Sequence, residues 1–168
     1  MKTAGVLVAI ALALALQTTL ARFMVGGSAA VDFVLVAVVA VALSTGPMGG
    51  MLAGTLAGLI QDALGTGVIG IGGLAKSVVG FLAGAIGQQF IVTAVLPRLV
   101  MFVAATLVHA ALFMGLYVAL DLREFPSPWK AIVSQALGNA LVGIVAFTII
   151  ESVPGIVERR RAGGRSRR

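Results

Sequence analysis

The sequence predicts an all-α fold, a polytopic bundle of six transmembrane helices, on three observations. The first is composition: of 168 residues, 60% are hydrophobic and 11% charged, and the mean hydropathy is +1.10. A water-soluble domain of this length cannot cover so much apolar material with polar surface. The second is run length, because the apolar residues come in stretches near the roughly 20 that a helix needs to cross a hydrocarbon layer. The third is punctuation, since short polar, glycine or proline segments separate these stretches. The chain has no cysteine, which excludes disulfides, thiolate metal sites and cysteine nucleophiles.

The first helix is expected over about 5–21, preceded by Lys2 and closed by Gln17, Thr18, Thr19 and Arg22. A signal peptide is the alternative. It is disfavoured by the single basic residue in front, and by the further membrane that follows where a soluble mature domain would stand. The second helix, about 31–45, opens at Asp32 and stops at the turn Ser44, Thr45, Gly46, Pro47. The third covers about 48–64, and a glycine-rich connection from Gly65 to Gly73 leads to the fourth, about 70–87. Pro97 is compatible with a first helical turn and starts the fifth, about 97–120. The polar insert DLREFPSP, Asp121 to Pro128, precedes the sixth, about 129–153. Residues 1–157 therefore read as one integral membrane domain, and 158–168 as a basic tail.

Six crossings place both termini on one side. Six of the twelve basic residues are arginines between Arg159 and Arg168, so the positive-inside rule makes that side cytoplasmic. Lys2 and Arg98 join them there. Arg22, Arg123 and Lys130 fall outside, close in sequence to Asp32, Asp121 and Glu124, which count little in that rule. The net charge of +6 is thus a matter of topology and of anionic lipid headgroups rather than of nucleic acid.

Small residues mark the packing surfaces. Gly50, Gly54 and Gly58 recur every four residues on the third helix, and Gly80 and Gly84 repeat the spacing on the fourth. Such stripes let helix backbones approach closely where lipid supplies no hydrophobic force between them. The first helix carries an alternating series, Ala9, Ala11, Ala13 and Ala15. The stripes pack helices within the chain, or one of them receives another protein's membrane helix. The first helix is the preferred candidate for a partner because it is peripheral in sequence and poor in polar groups.

The polar residues inside the spans are few: Gln61 and Asp62 on the third helix, Lys76 and Ser77 on the fourth, His109 on the fifth, Gln135 and Asn139 on the sixth. Gln135 and Asn139 share a helix face. Ionisable groups at membrane depth are expensive and turn toward a cavity or each other. An antiparallel hairpin brings Asp62 and Lys76 within reach of an ion pair near the outer face, which lowers the cost of burying either charge. These residues fix helix register or contact a ligand. His109 reads as a helix contact, since nothing gives it companions at metal-ligand spacing.

The chain contains no GxSxG, no HExxH, no suggestive carboxylate pair and a single histidine, so no enzyme motif is present. The glycine-rich loop follows an apolar helix and lacks the GK[ST] ending of a phosphate cradle. Neither a cofactor nor a metal is expected.

The run GPMGGMLAGTLAGLIQDALGTGVIGIGGLAKSVVGFLAG, preceded by QTTL and VDFVLV and followed near the end by SQALGNALVG, resembles the rod-shape-determining MreD family over nearly the full length. Its most recognisable part is the glycine ladder closing on GLIQD, then a glycine-rich loop and a GxLAK helix. The resemblance implies a non-catalytic inner-membrane subunit of the bacterial cell-elongation machinery. It implies an MreC-type bitopic partner and, through it, the MreB filament, a RodA-type polymerase and a penicillin-binding transpeptidase. It also implies a fold similar to the substrate-binding S components of energy-coupling-factor vitamin transporters, with Gln61, Asp62 and Lys76 lining the region of their ligand. The rival reading is an uptake subunit that binds a vitamin-like small molecule. The scarcity of polar and aromatic residues in the external halves of the helices, with one Trp and one Tyr in the chain, favours the scaffold.

Overall fold

The apolar runs do form helices, but they do not play equal parts. The computed structural model describes residues 3–20, 31–90, 94–125 and 127–165, the side chains as far as 149. Among these residues are six helices and no strand: α1 (Thr3–Leu20), α2 (Phe33–Thr45), α3 (Pro47–Leu64), α4 (Ile71–Gln89), α5 (Val95–Ala119) and α6 (Trp129–Arg165). Four segments are long and apolar enough to cross a membrane: α1, α4, α5 and α6 from Trp129 to Ile149. Among the six helices α2 is the short one. Its 13 residues rise about 20 Å, short of the ~30 Å hydrocarbon core. α3 has 18 residues, but its glycines, Gln61 and Asp62 dilute its hydropathy.

α2 is the centre of the bundle. Apolar all round, FVLVAVVAVALST, it is a helix that has no wet or lipid face to distinguish, and it touches each of the other five. One side, with Leu35, Val36, Val39 and Ala42, packs on Val79 and Ala83 of α4, Met101, Phe102 and Ala105 of α5 and Ala140 of α6. The other side, with Val34, Val38 and Val41, packs on Ile10 and Ala13 of α1 and Ala53 and Ala57 of α3. Leu35, Val34, Val38 and Val39 are among the largest side chains that are completely enclosed.

α3 and α4 form the tightest pair, built on backbone rather than side chains. A β-carbon at Gly50 would collide with the Gly80 carbonyl, one at Gly54 with the Lys76 carbonyl, one at Gly58 with the Gly73 backbone, and one at Gly84 with Gly46 and Pro47. Pro47 stands at the start of α3, where its missing N–H has no intrahelical use. Gly46 before it has φ +84°, a conformation cheap only for glycine. α5 and α6 pair differently: the Phe102 ring occupies the space above Gly143 and meets Phe147 edge-on at 6.1 Å.

α6 continues to Arg165, past the end expected near 153 and through most of the segment read as a tail. Pro154 removes one backbone hydrogen bond, and the good helix formers Glu158 to Arg161 carry the helix on. Lys2, Arg22 and residues 166–168, to which topology roles were assigned, lie outside the described residues, as does residue 21 at the expected end of the first helix.

Candidate functional site

The start of a helix leaves four backbone N–H groups without partners, and α2 starts inside the bundle, where no bulk water can satisfy them. Three of the four are met by side chains. The Asp32 amide donates to Asn139 Oδ1 at 2.8 Å, the Phe33 amide to Gln17 Oε1 at 2.8 Å, and the Leu35 amide to the capping carboxylate of Asp32 at 2.9 Å. Asn139 Nδ2 in turn donates to Thr106 Oγ1 at 2.9 Å, and the Thr106 hydroxyl donates to the Phe102 carbonyl at 2.8 Å. The start of the central helix is thus held by α1, α5 and α6 together.

The Asp32 carboxylate is also the partner of the buried lysine. Lys76 Nζ lies 2.9 Å from Asp32 Oδ2 and 3.2 Å from His109 Nε2, and all three residues are at most 6% exposed. An ammonium has donors only, so His109 Nε2 accepts and the ring's own proton resides on Nδ1. The charges of Asp32 and Lys76 cancel, as low-dielectric surroundings require.

The expected Asp62–Lys76 pair is therefore not formed. Asp62 serves the other helix start: its Oδ2 accepts from the Gly70 amide at 2.9 Å and the Gly73 amide at 3.1 Å. Gly70, at φ +106°, sets the left-handed step that aims these amides. Lys76, more than a turn inside α4, meets α2 instead. The hairpin argument considered only the two helices adjacent in sequence, whereas the counter-ion comes from a third.

Above this cluster lies a cavity of about 330 Å³. It is bounded by the ends of α1, α3 and α5 and the beginnings of α4 and α6. Gln61, Asp62, Lys76, His109 and Gln135 line it, five of the seven polar residues that the sequence places inside the spans. Asn139 is 1% exposed and sits at the root of α2, not in the wall. The sequence reading had Asp32 as an external helix opener and His109 as a plain helix contact, and it passed over Gln17 and Tyr117. All four line the cavity. An Asp immediately before an uninterrupted apolar helix was the available signal for Asp32, because a cap inside an apolar segment must be buried with it. His109, Phe113 and Tyr117 recur every four residues along α5, with ring centroids 5.7 Å and 4.8 Å apart in succession. They make one aromatic wall. The Tyr117 hydroxyl also accepts the Val68 amide at 3.0 Å, tying down the connection before α4.

The alanines of α1 divide between two faces. Ala13 is buried against α2 and α3 and Ala9 is half-buried, while Ala11 and Ala15 are exposed beside Leu12 and Leu16. A spacing of two turns the helix by about 200°, so the four cannot form a single partner stripe.

A family model described as rod shape-determining protein MreD matches residues 1–152. No curated protein and no solved structure matches the chain.

Proposed function

The chain belongs to the rod shape-determining MreD family, and on that premise we propose that it is a non-catalytic scaffold of the cell-elongation machinery in the cytoplasmic membrane. In this reading it crosses that membrane several times with both termini in the cytoplasm, and it binds an MreC-type protein through that partner's single membrane helix. The partner then links it to the MreB filament, the RodA-type polymerase and the penicillin-binding transpeptidase. The membership itself carries the coarser statement: this is a polytopic membrane protein that determines rod shape.

The observation that carries the scaffold reading is the position of α1. Among the described residues it packs on α2 and α3 alone, and its opposite face, with Leu7, Val8, Ala11, Leu12, Ala15 and Leu16, is exposed along its length. Ala11 and Ala15 are four apart on that face, a small-residue pair beside large apolar residues, which is the surface that close helix packing in lipid uses.

The test exploits the absence of native cysteine. Ala11→Cys, Ala15→Cys and Ala13→Cys, each carrying a photo-crosslinker, are co-expressed with the MreC-type partner in native membranes. Crosslinks are expected from positions 11 and 15 and not from the inward position 13. Native mass spectrometry of the gently extracted protein should show the same partner bound. A partner that co-purifies but crosslinks equally from all three positions would move the interface off α1. The absence of any bound protein would remove the scaffold reading.

A further inference from the structure

The charges that line the cavity do not cancel. Three charged residues reach it, Asp32, Asp62 and Lys76. Asp32 and Lys76 pair with one another, which leaves the Asp62 carboxylate, and among the described residues no lysine or arginine pairs with it. Its Oδ2 accepts both amides at the start of α4, so its other oxygen, Oδ1, has no hydrogen-bond partner. Gln61 Oε1 and His109 Nδ1 also lack partners, but the packing encloses them completely. Asp62 is half-buried, and Oδ1 is not one of the enclosed atoms. The cavity thus presents a reachable acceptor that carries a negative charge without a counter-ion. At membrane depth such a group is costly unless something meets it.

The other walls say what kind of cation would meet it. Phe113 and Tyr117, with ring centroids 4.8 Å apart, form an aromatic side to the same space, and aromatic faces attract positive charge. Tyr117 and Asp62 stand close to one another, since they hold amides only two residues apart, those of Val68 and Gly70. The ammonium of Lys76 is engaged by Asp32 and His109, and its charge is matched by Asp32. Among the described residues no three His, Cys, Asp or Glu side chains stand together as metal ligands, so a bare metal ion finds no coordination sphere, whereas an organic cation needs one hydrogen-bond acceptor and an apolar wall. About 330 Å³ lies at the small end of ligand sites.

We infer that this cavity binds a small organic cation of the alkylammonium class. Its N–H donates to Asp62 Oδ1, and its charge and carbon chain lie against Phe113 and Tyr117. The inference goes beyond the scaffold reading and does not depend on it.

Butylammonium is the probe, and butan-1-ol, of the same length and without the charge, is the control. Thermal melting of the full chain in nanodiscs of zwitterionic lipid is followed at constant ionic strength with each compound up to about 10 mM, enough to saturate a site tighter than about 1 mM. Butylammonium should raise the melting temperature in a saturable way, and the alcohol should bind about tenfold or more weakly, the loss of a hydrogen bond between charged groups. Asp62→Asn keeps an oxygen for the Gly70 and Gly73 amides and removes the charge. It should fold, and it should weaken butylammonium about tenfold or more. A second readout does not depend on that variant folding. Ala131→Cys places a thiol in the cavity wall. Its preference for a cationic over an anionic methanethiosulfonate reagent should be several-fold above that of free cysteine, and saturating butylammonium should slow the cationic reagent several-fold. Absence of both the melting shift and the protection overturns the inference. So does equal binding of the two compounds, or unaltered butylammonium affinity in a folded Asp62→Asn protein.

Discussion

The α3–α4 hairpin and the root of α2 are both tightly packed, yet they are built by opposite means. In the hairpin, contact is made by the absence of side chains: Gly50 against Gly80, Gly54 against the backbone at Lys76 and Gly58 against Gly73. At the root of α2, contact is made by side chains that reach far, as Asn139 and Gln17 meet the amides of Asp32 and Phe33, and Lys76 meets Asp32. The first is a steric match along two neighbouring helices. The second is a polar account that closes only when α1, α2, α4, α5 and α6 are all in place. The two meet at Lys76, whose carbonyl faces Gly54 while its ammonium holds Asp32 and His109. Close approach of α3 and α4 therefore sets the position from which Lys76 reaches the centre.

Three experiments would break or sharpen this comparison. The largest effect is expected from Lys76→Met, which leaves the Asp32 carboxylate buried without its counter-ion, at a cost of about 3–5 kcal/mol. Asp32→Asn, which still caps the helix, should restore part of that loss when combined with it. Thermal melting of the single and double variants gives the coupling, and strictly additive losses would mean that the pair does not interact. Next comes Gly54→Ala, whose single methyl would drive α4 away from α3 and should cost about 1–3 kcal/mol. Its effect should spread to the α2 root, seen as faster amide exchange at Asp32 and Phe33; exchange unchanged there would separate the two regions. The smallest is Gly115→Ala on α5, where a β-carbon meets nothing within 4 Å. It should raise stability by about 0.5–1 kcal/mol through helix propensity. A loss instead would place an unrecognised contact on that face.

The two regions also differ in how far they could be read from sequence. The glycine ladder was legible because its period lies within one helix and the partner ladder follows in the next. Gln61, Asp62, Lys76 and Gln135 of the cavity were legible, since an isolated Gln, Asp or Lys in an apolar run stands out, whereas Gln17, Asp32 and Tyr117 were not. Nor was the pairing. Asp62 and Lys76 are neighbours in sequence and were matched for that reason, while the pair that forms joins Lys76 to Asp32 two helices earlier. Asn139 and Asp32 are 107 residues apart. Nothing in local spacing ranks Asp32 above Asp62 as the counter-ion. The alanines of α1 erred in a simpler way, because a two-residue repeat was read as a stripe although a helix turns successive members to opposite sides.

Local chemistry thus determined which stretches are helical, that they belong in a membrane, where the turns fall and which two helices meet backbone to backbone. These follow from hydropathy, helix period and glycine, and each acts within about twenty residues. Only the tertiary structure decided that α2 is the core of the bundle. It also decided that Asp62 caps α4 while Asp32 receives Lys76, and that Gln61 and His109 come to line a shared cavity. The reason is that a helix start or a charge out of reach of water must be satisfied by whatever group the packing brings within about 3 Å. Which group arrives depends on the mutual placement of all six helices.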